Sequence, residues 1–193
     1  MNHTITVSYD NVLIRQPVPD DLEMLRTWRN DPDNSRFLSK MDRITEEMQQ
    51  IWFQGYLKDE DHCMFVCEET RELRRAVGSV SLYNFRPGIC ECGKIMVGDT
   101  EARGKGIGKL GIALAMYAGF EIFQVSAIDA VAYEENTASV KTLQKAGFQI
   151  SGKRPALDFP GKTEVELLSA KAYFYNCHDF LDKAAIDGGP SPS

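Results

Sequence analysis

The stretch IMVGDTEARGKGIGKLGIAL, Ile95 to Leu114, carries two phosphate-binding signatures laid over one another. Gly106, Gly108 and Gly111 spell G-x-G-x-x-G, the dinucleotide fingerprint, while Arg103, Gly106 and Gly108 spell R-x-x-G-x-G. The two make different demands on the surrounding fold. A dinucleotide site needs a strand that runs almost directly into the first glycine, because the tight turn brings the backbone to the pyrophosphate. Here the apolar strand ends at Val97, and GDTEAR (98–103) intervenes. The preceding runs, CMFVCEE (63–69), AVGSVSLYNF (76–85) and CGKIMVG (92–98), are separated by the turns TRELRR and RPG. They predict an antiparallel meander, which is the wrong topology for a dinucleotide unit.

The second signature suits its neighbours. Arg103-Gly104-Lys105-Gly106-Ile107-Gly108 leads straight into a predicted helix over 106–123, so backbone N–H groups and the positive end of the helix dipole converge on one point. Glycines there permit unusual φ angles and let a phosphate approach the main chain. Arg103, Lys105 and Lys109 add local positive charge to a chain that is otherwise acidic, with 22 Lys+Arg against 28 Asp+Glu and a net charge of -6. That balance excludes a general basic footprint for nucleic acid, so an anion must be bound locally.

Working outward, NVLIRQ (11–16) reads as a strand and PDDLEMLRTWRND (19–31) as a helix with Leu22, Leu25 and Trp28 at helical spacing. TEEMQQIWFQGYLKD (45–59) reads as a second helix with Thr45 as N-cap. After the Gly-rich loop and its helix come strand 125–133, helix 137–146 ended by Gly147, and a long hairpin of FQISGKRPALDF and TEVELLSAKAYF around Pro160-Gly161. The expected fold class is α+β, a single domain (1–184) with a mixed, mostly antiparallel central sheet and helices on both faces. Residues 185–193, rich in Gly, Pro and Ser, are expected to form a disordered tail. At 193 residues with 43% hydrophobic residues the chain suits one well-packed core. No apolar run approaches the roughly 20 residues of a membrane span, and MNHTITVSYDN does not resemble a signal peptide, so a cytoplasmic location is expected.

The cysteines offer a metal reading. Cys63 and Cys67 fall four apart, Cys90 and Cys92 two apart, yet both pairs sit in strand-like runs where such spacings share one face. Small apolar residues packed beneath a sheet are the favoured account, and no metal is expected.

KIMVGDTEARGKGIGKL followed by VAYEENTASVKTLQKAGF resembles the GCN5-related N-acetyltransferase (GNAT) superfamily, over about residues 10 to 175. The resemblance implies acetyl-CoA as co-substrate, with Arg103, Gly104, Lys105, Gly106, Ile107, Gly108 and Lys109 holding its pyrophosphate. It implies that the main chain of Met96 and Val97 pairs with pantetheine beside a splayed strand, and that Asn136 and Ser139 are the polar contacts of the following motif. Asn136 is equally well placed to cap helix 137–146, and Ser139 stands in that helix's first turn. Many relatives place a tyrosine as general acid where this chain has Leu143, which leaves Ser139, a water or the solvent to protonate the departing thiolate. For the base, Glu91, directly before the acetyl-binding strand, is the first candidate, with Glu134 and Glu135 as alternatives. His3, His62 and His178 lie outside the motifs and are not assigned a role.

The acceptor is less defined. LEMLRTWRNDPDNSRFL is similar to enzymes that acetylate nucleotide-linked amino sugars and to those that acetylate protein N-termini such as those of ribosomal proteins, and WRN (28–30) leans toward the sugar branch. Trp28 on an amphipathic helix and Arg29 near its C-terminus are also explained by packing and by the helix dipole. A sugar nucleotide needs a second basic locus, for which Arg36, Lys40 and Arg43 are candidates; a protein N-terminus or polyamine suits an acidic cleft. A catalytically silent acyl-CoA sensor is the reading from a different class. Relatives in the superfamily often dimerise, so the resemblance leaves a homodimer open although no residue of this chain requires one, and neither nucleic acid nor membrane is expected as a partner.

Overall fold

The structure is a computed structural model that describes residues 1–37, 42–157 and 159–190. Among the described residues nine strands form one sheet, and every neighbouring pair is antiparallel except one near the middle. β1 (Thr6–Tyr9) and β2 (Val12–Arg15) make a tight hairpin one strand in from an edge. β2 hands on to the expected meander of β3 (His62–Glu69), β4 (Arg75–Arg86) and β5 (Ile89–Val97). β5 then pairs in parallel with β6 (Ala127–Tyr133), which is flanked by β8 (Thr163–Ala170) and β7 (Gln149–Pro155).

Helices cover both faces. α4 (Ile107–Glu121) has ten of its fifteen residues buried, as expected of a helix that is apolar on nearly every side. It lies close against the strands because it offers glycines there: a Cβ at Gly111 would stand 2.9 Å from Cys67 Sγ, and one at Gly119 2.9 Å from Ile128 Cδ1. On the opposite face α1 (Leu22–Asn30), which is followed by the short α2 (Pro32–Ser35), and α3 (Glu46–Lys58) bury Leu22, Leu25, Phe53 and Tyr56 against Met64 and Val66 of β3. The N-cap of α3 is Thr45, whose hydroxyl accepts from the Met48 amide at 3.2 Å. α5 (Thr137–Lys145) follows β6, and Gly147, at φ 106, terminates it.

Three sequence expectations are corrected. The run TEVELLSAKAYF does not continue as one strand: β8 ends at Ala170, and Lys171–Cys177 form α6, which buries Phe174. The tail expected to be disordered from residue 185 begins with β9 (Ala185–Asp187), paired antiparallel with β1, and Thr4 and Gly189 bond to each other beyond it. Residues 191–193 lie outside the described residues. β1 was not anticipated at all, since TVSY alternates over only four residues. Cys63, Cys67, Cys90 and Cys92 are buried in the apolar core, where burial pushes the Cys67 and Cys90 thiols up to about 12.

Trp28 decides how α1 meets the end of β5. Its indole lies over Gly98, where a Cβ would stand 2.0 Å from Trp28 Cδ2. Gly98→Ala must therefore displace α1 or the indole, an overpacking cost of about 1–3 kcal/mol. Urea unfolding of the variant is the check, and an unchanged midpoint would show that the indole moves freely.

Candidate active site

The pairing of β5 with β6 stops early. Ile89, Cys90 and Glu91 match Ala127, Ile128 and Asp129, and beyond them β5 stays with β4 while β6 stays with β8. From residue 92 onward the edge of β5 facing β6 has no strand partner among the described residues, so the sheet opens like a V with Glu91 and Asp129 at its vertex. A bulge contributes to the opening. The register of β5 on β4 slips by one residue between Gly93 and Met96, and Lys94 within it has φ 50.

β5 leads through a short turn into the Gly-rich loop. Gly104 and Gly106 have φ 78 and 80, and a Cβ on either would meet nothing within 4 Å. Conformation, not crowding, accounts for glycine at both positions. The amides of Arg103 and Lys105 bond within the loop, to Thr100 O at 3.2 Å and Ala102 O at 3.4 Å. Those of Gly104, Gly106, Ile107, Gly108 and Lys109 have no protein partner among the described residues. The result is a cradle of unsatisfied N–H groups at the N-terminus of a fifteen-residue helix, which suits a pyrophosphate. Arg103 is held beside it, its guanidinium donating to Asn34 Oδ1 at 2.6 Å and Val97 O at 3.4 Å, while Lys105 pairs with Glu72 at 2.9 Å.

An open cleft of about 690 Å³ extends from the V to the face covered by α1 and α3. It brings together Glu91, Met96, Asn136 and Ser139 from the expected set. Asn136 caps α5, its Oδ1 accepting from the Ser139 amide at 3.2 Å, so the capping role is observed and the side chain still reaches the cleft wall. Leu143 is buried in the core. Glu134 and Glu135 do not line the cleft; they pair with Lys153 and Lys162 on the β7–β8 side. Among the second basic locus expected at Arg36, Lys40 and Arg43, Arg36 lies over its neighbour Phe37, neither Arg36 nor Arg43 lines the cleft, and Lys40 is outside the described residues.

Residues 11–149 match the model of the acetyltransferase (GNAT) domain. The chain belongs to that family. An N-acetyltransferase 9-like protein of Caenorhabditis briggsae is 22% identical over 177 residues, 84% of this chain and 89% of the relative. The fold resembles that of spermidine N-acetyltransferase from Vibrio cholerae in complex with CoA and spermine, with a TM-score of 0.76, 18% identity and coverage of 86% and 99% of the two chains. It also resembles AAC(6')-Ib in complex with ribostamycin and coenzyme A, with a TM-score of 0.73, 18% identity and coverage of 88% and 99%. At such identities the likeness to these structures concerns the fold alone. The protein is an acetyl-CoA-dependent N-acetyltransferase, and the cradle and the opened strand of this GNAT domain fit that co-substrate.

Sequence reasoning missed a row of side chains across the meander. His62 of β3 stands opposite Tyr83 of β4, which stands opposite Glu91 of β5, so all three share one face of the sheet. The Tyr83 hydroxyl donates to Glu91 Oε1 at 2.5 Å, and Asn84 Nδ2 donates to Oε2 at 3.0 Å. Burial, together with this carboxylate, holds the Tyr83 phenol well above its ordinary range, so it remains a donor. Gly93 makes room for it: a Cβ there would be 2.5 Å from the hydroxyl. His62 Nε2 is 3.0 Å from Ser81 Oγ and 3.4 Å from Lys94 Nζ. An ammonium has only hydrogens to offer, so Nε2 is the acceptor and the imidazole is neutral.

Two neutral buried histidines make stability pH-dependent. Burial is the main cause that lowers both His62 and His3 to about 4, with Lys94 adding to it at His62. Between the unfolded value of about 6.5 and about 4 the unfolded chain binds more protons than the folded one, so stability is present above pH 6.5 and is lost as pH falls through this window. At pH 5 each histidine is expected to cost about 2 kcal/mol relative to pH 8. Urea midpoints across this range test it: a His3→Gln, His62→Gln double variant should show a flatter profile, and an unchanged slope would assign the loss to other groups.

Proposed function

We propose that the protein transfers acetyl from acetyl-CoA directly to a primary amine of a small acceptor that also carries negative charge, with a nucleotide-linked amino sugar as the leading candidate. The observation that carries this reading is the charge of the cleft. Arg29, Lys94 and Arg154 line it against two glutamates, Glu91, which accepts from neutral Tyr83 and Asn84, and Glu164, which pairs with Arg154 at 2.9 Å, so the formal charge of the wall is positive by one. A polycation gains little from such a wall.

In this reading Arg103, Gly104, Lys105, Gly106, Ile107, Gly108 and Lys109 hold the pyrophosphate, and the main chain of Met96 and Val97 pairs with pantetheine along the free edge of β5. Glu91 takes the proton of the attacking ammonium, and a backbone N–H of the opened strand stabilises the developing oxyanion. Ser139 stands in for the usual tyrosine as donor to the departing thiolate, since buried Leu143 cannot act and Asn136 and Ser139 flank the V.

A second reading, acetylation of a peptide N-terminus, is favoured by Met48 and Leu157, which are 42% and 84% exposed and line the cleft from opposite sides. Mass-spectrometric turnover with acetyl-CoA and three acceptor pools in parallel, namely nucleotide-linked amino sugars, N-terminal peptides and polyamines, separates the readings. Acetylated polyamine alone would refute the anionic acceptor, and silence in every pool with acetyl-CoA bound would leave an acyl-CoA sensor.

A further inference from the structure

We infer that Lys94 is the specificity residue of the acceptor site, selecting amines that carry a phosphate or carboxylate close to the reacting nitrogen. The inference rests on the acetyl-transfer reading above and assigns that reading's selectivity to one side chain.

The bulge in β5 is what makes Lys94 unusual. A lysine at φ 50 is a conformation that L side chains seldom adopt, and bulges are a recurrent means of re-aiming a side chain. Here the ammonium lies over the Tyr83 ring, 4.5 Å from its centroid, and 3.4 Å from the neutral His62 Nε2. Both contacts hold a cation in place without cancelling its charge. No carboxylate of the described residues lies within salt-bridge distance of it: Asp59, Glu91 and Asp61 act only from further away. Arg29 lines the same cleft and adds to the positive potential there.

An exposed ammonium between an aromatic face and a neutral imidazole lacks one partner type, an anion. An acceptor bearing phosphate or carboxylate supplies it at the moment of binding through a charge-assisted hydrogen bond. Such a cation also favours the neutral, nucleophilic form of a nearby acceptor amine. A second ammonium, as in a polyamine, is disfavoured at the same place.

The test compares kcat/KM of the wild type, Lys94→Met and Lys94→Arg on matched probes: glucosamine 6-phosphate against glucosamine, and Ala-Glu-amide against Ala-Gln-amide, with spermidine as the cationic reference. The wild type should prefer the anionic member of one pair by about tenfold or more, and the pair that shows it tells phosphate from carboxylate. Lys94→Met should bring that ratio close to one, mainly through KM, and Lys94→Arg should keep most of it. Unchanged affinity for acetyl-CoA shows that the variant is folded with its cofactor cradle intact. Equal losses on both members of a pair, or a wild type that prefers spermidine, would overturn the inference. If the wild type acetylates none of the probes, acetyl transfer to such amines fails separately, and Lys94 is judged by thermal shift with glucosamine 6-phosphate and Ala-Glu-amide. Stabilisation by either that is lost in Lys94→Met upholds its anion-binding role, and its absence in the wild type refutes it.

Discussion

Gly108→Glu is expected to remove acetyl-CoA binding while leaving the fold intact. Gly108 is the second residue of α4 and one of five amides in the cradle with no protein partner among the described residues. A carboxylate in the first turn of a helix complements the macrodipole, a gain of about 0.3–1 kcal/mol. The new Cβ would stand 3.0 Å from Val97 Cγ2, a methyl able to yield by a few tenths of an ångström. Thermal stability should therefore change little. The same carboxylate, however, occupies the place of a pyrophosphate and repels it. A loss of at least about a hundredfold in affinity, about 2.7 kcal/mol, is expected by calorimetry. The stabilisation that acetyl-CoA confers on the wild type, about 2.7 kcal/mol at a hundred times Kd, should vanish with it. Gly108→Ala, which adds the Cβ without the charge, should lose far less. Wild-type affinity in Gly108→Glu would mean that the cradle is not the pyrophosphate site.

Glu91→Gln is expected to act on turnover and not on cofactor affinity. The amide keeps the shape of the side chain and one acceptor oxygen for Tyr83 or Asn84, but it cannot take a proton. General-base catalysis is worth about 10²–10⁴-fold, so kcat should fall by about a hundredfold with the Kd of acetyl-CoA unchanged. Tyr83→Phe removes one of the two donors to this carboxylate and should change the pH profile of kcat with a smaller loss of rate. Normal turnover of Glu91→Gln across the pH range would take Glu91 out of the mechanism and direct attention to Asp129, its neighbour across the vertex of the V.

The geometry of the loop proposed to hold the cofactor was legible in the sequence because its residues are contiguous. The loop from Arg103 to Lys109 and the cap at Asn136 each depend on short-range backbone geometry, which Gly, Asn and helix periodicity announce locally. The acceptor half was not, since it is assembled by strand register. His62, Tyr83 and Glu91 are far apart along the chain and meet only because two antiparallel hairpins place them in one row. The short RPG turn was only a partial signal: a regular hairpin closed at Arg86 and Ile89 would set Tyr83 opposite Cys92, and a register shift between Tyr83 and Arg86 brings it opposite Glu91 instead. No comparable signal exists for the bulge at Lys94, a residue that by preference avoids the left-handed region. β1, β9 and α6 escaped notice for a related reason. Four and three residues are too few to show a period, and the polar tail drew the reading of 185–190 toward disorder although pairing with β1 supplies the missing order.

The position of the two tryptophans gives the molecule a pair of built-in optical probes. Trp28 rests on Gly98, next to Val97 and close to the start of the cofactor loop, whereas Trp52 lines the acceptor cleft and stacks on Tyr56 at 5.6 Å. The chain has no other tryptophan. With the two halves as proposed above, indole emission from a Trp52→Phe protein is expected to report the cofactor half, and the emission that this substitution removes is expected to report the acceptor half. The order in which the two substrates arrive becomes readable by stopped-flow fluorescence, without attaching a dye.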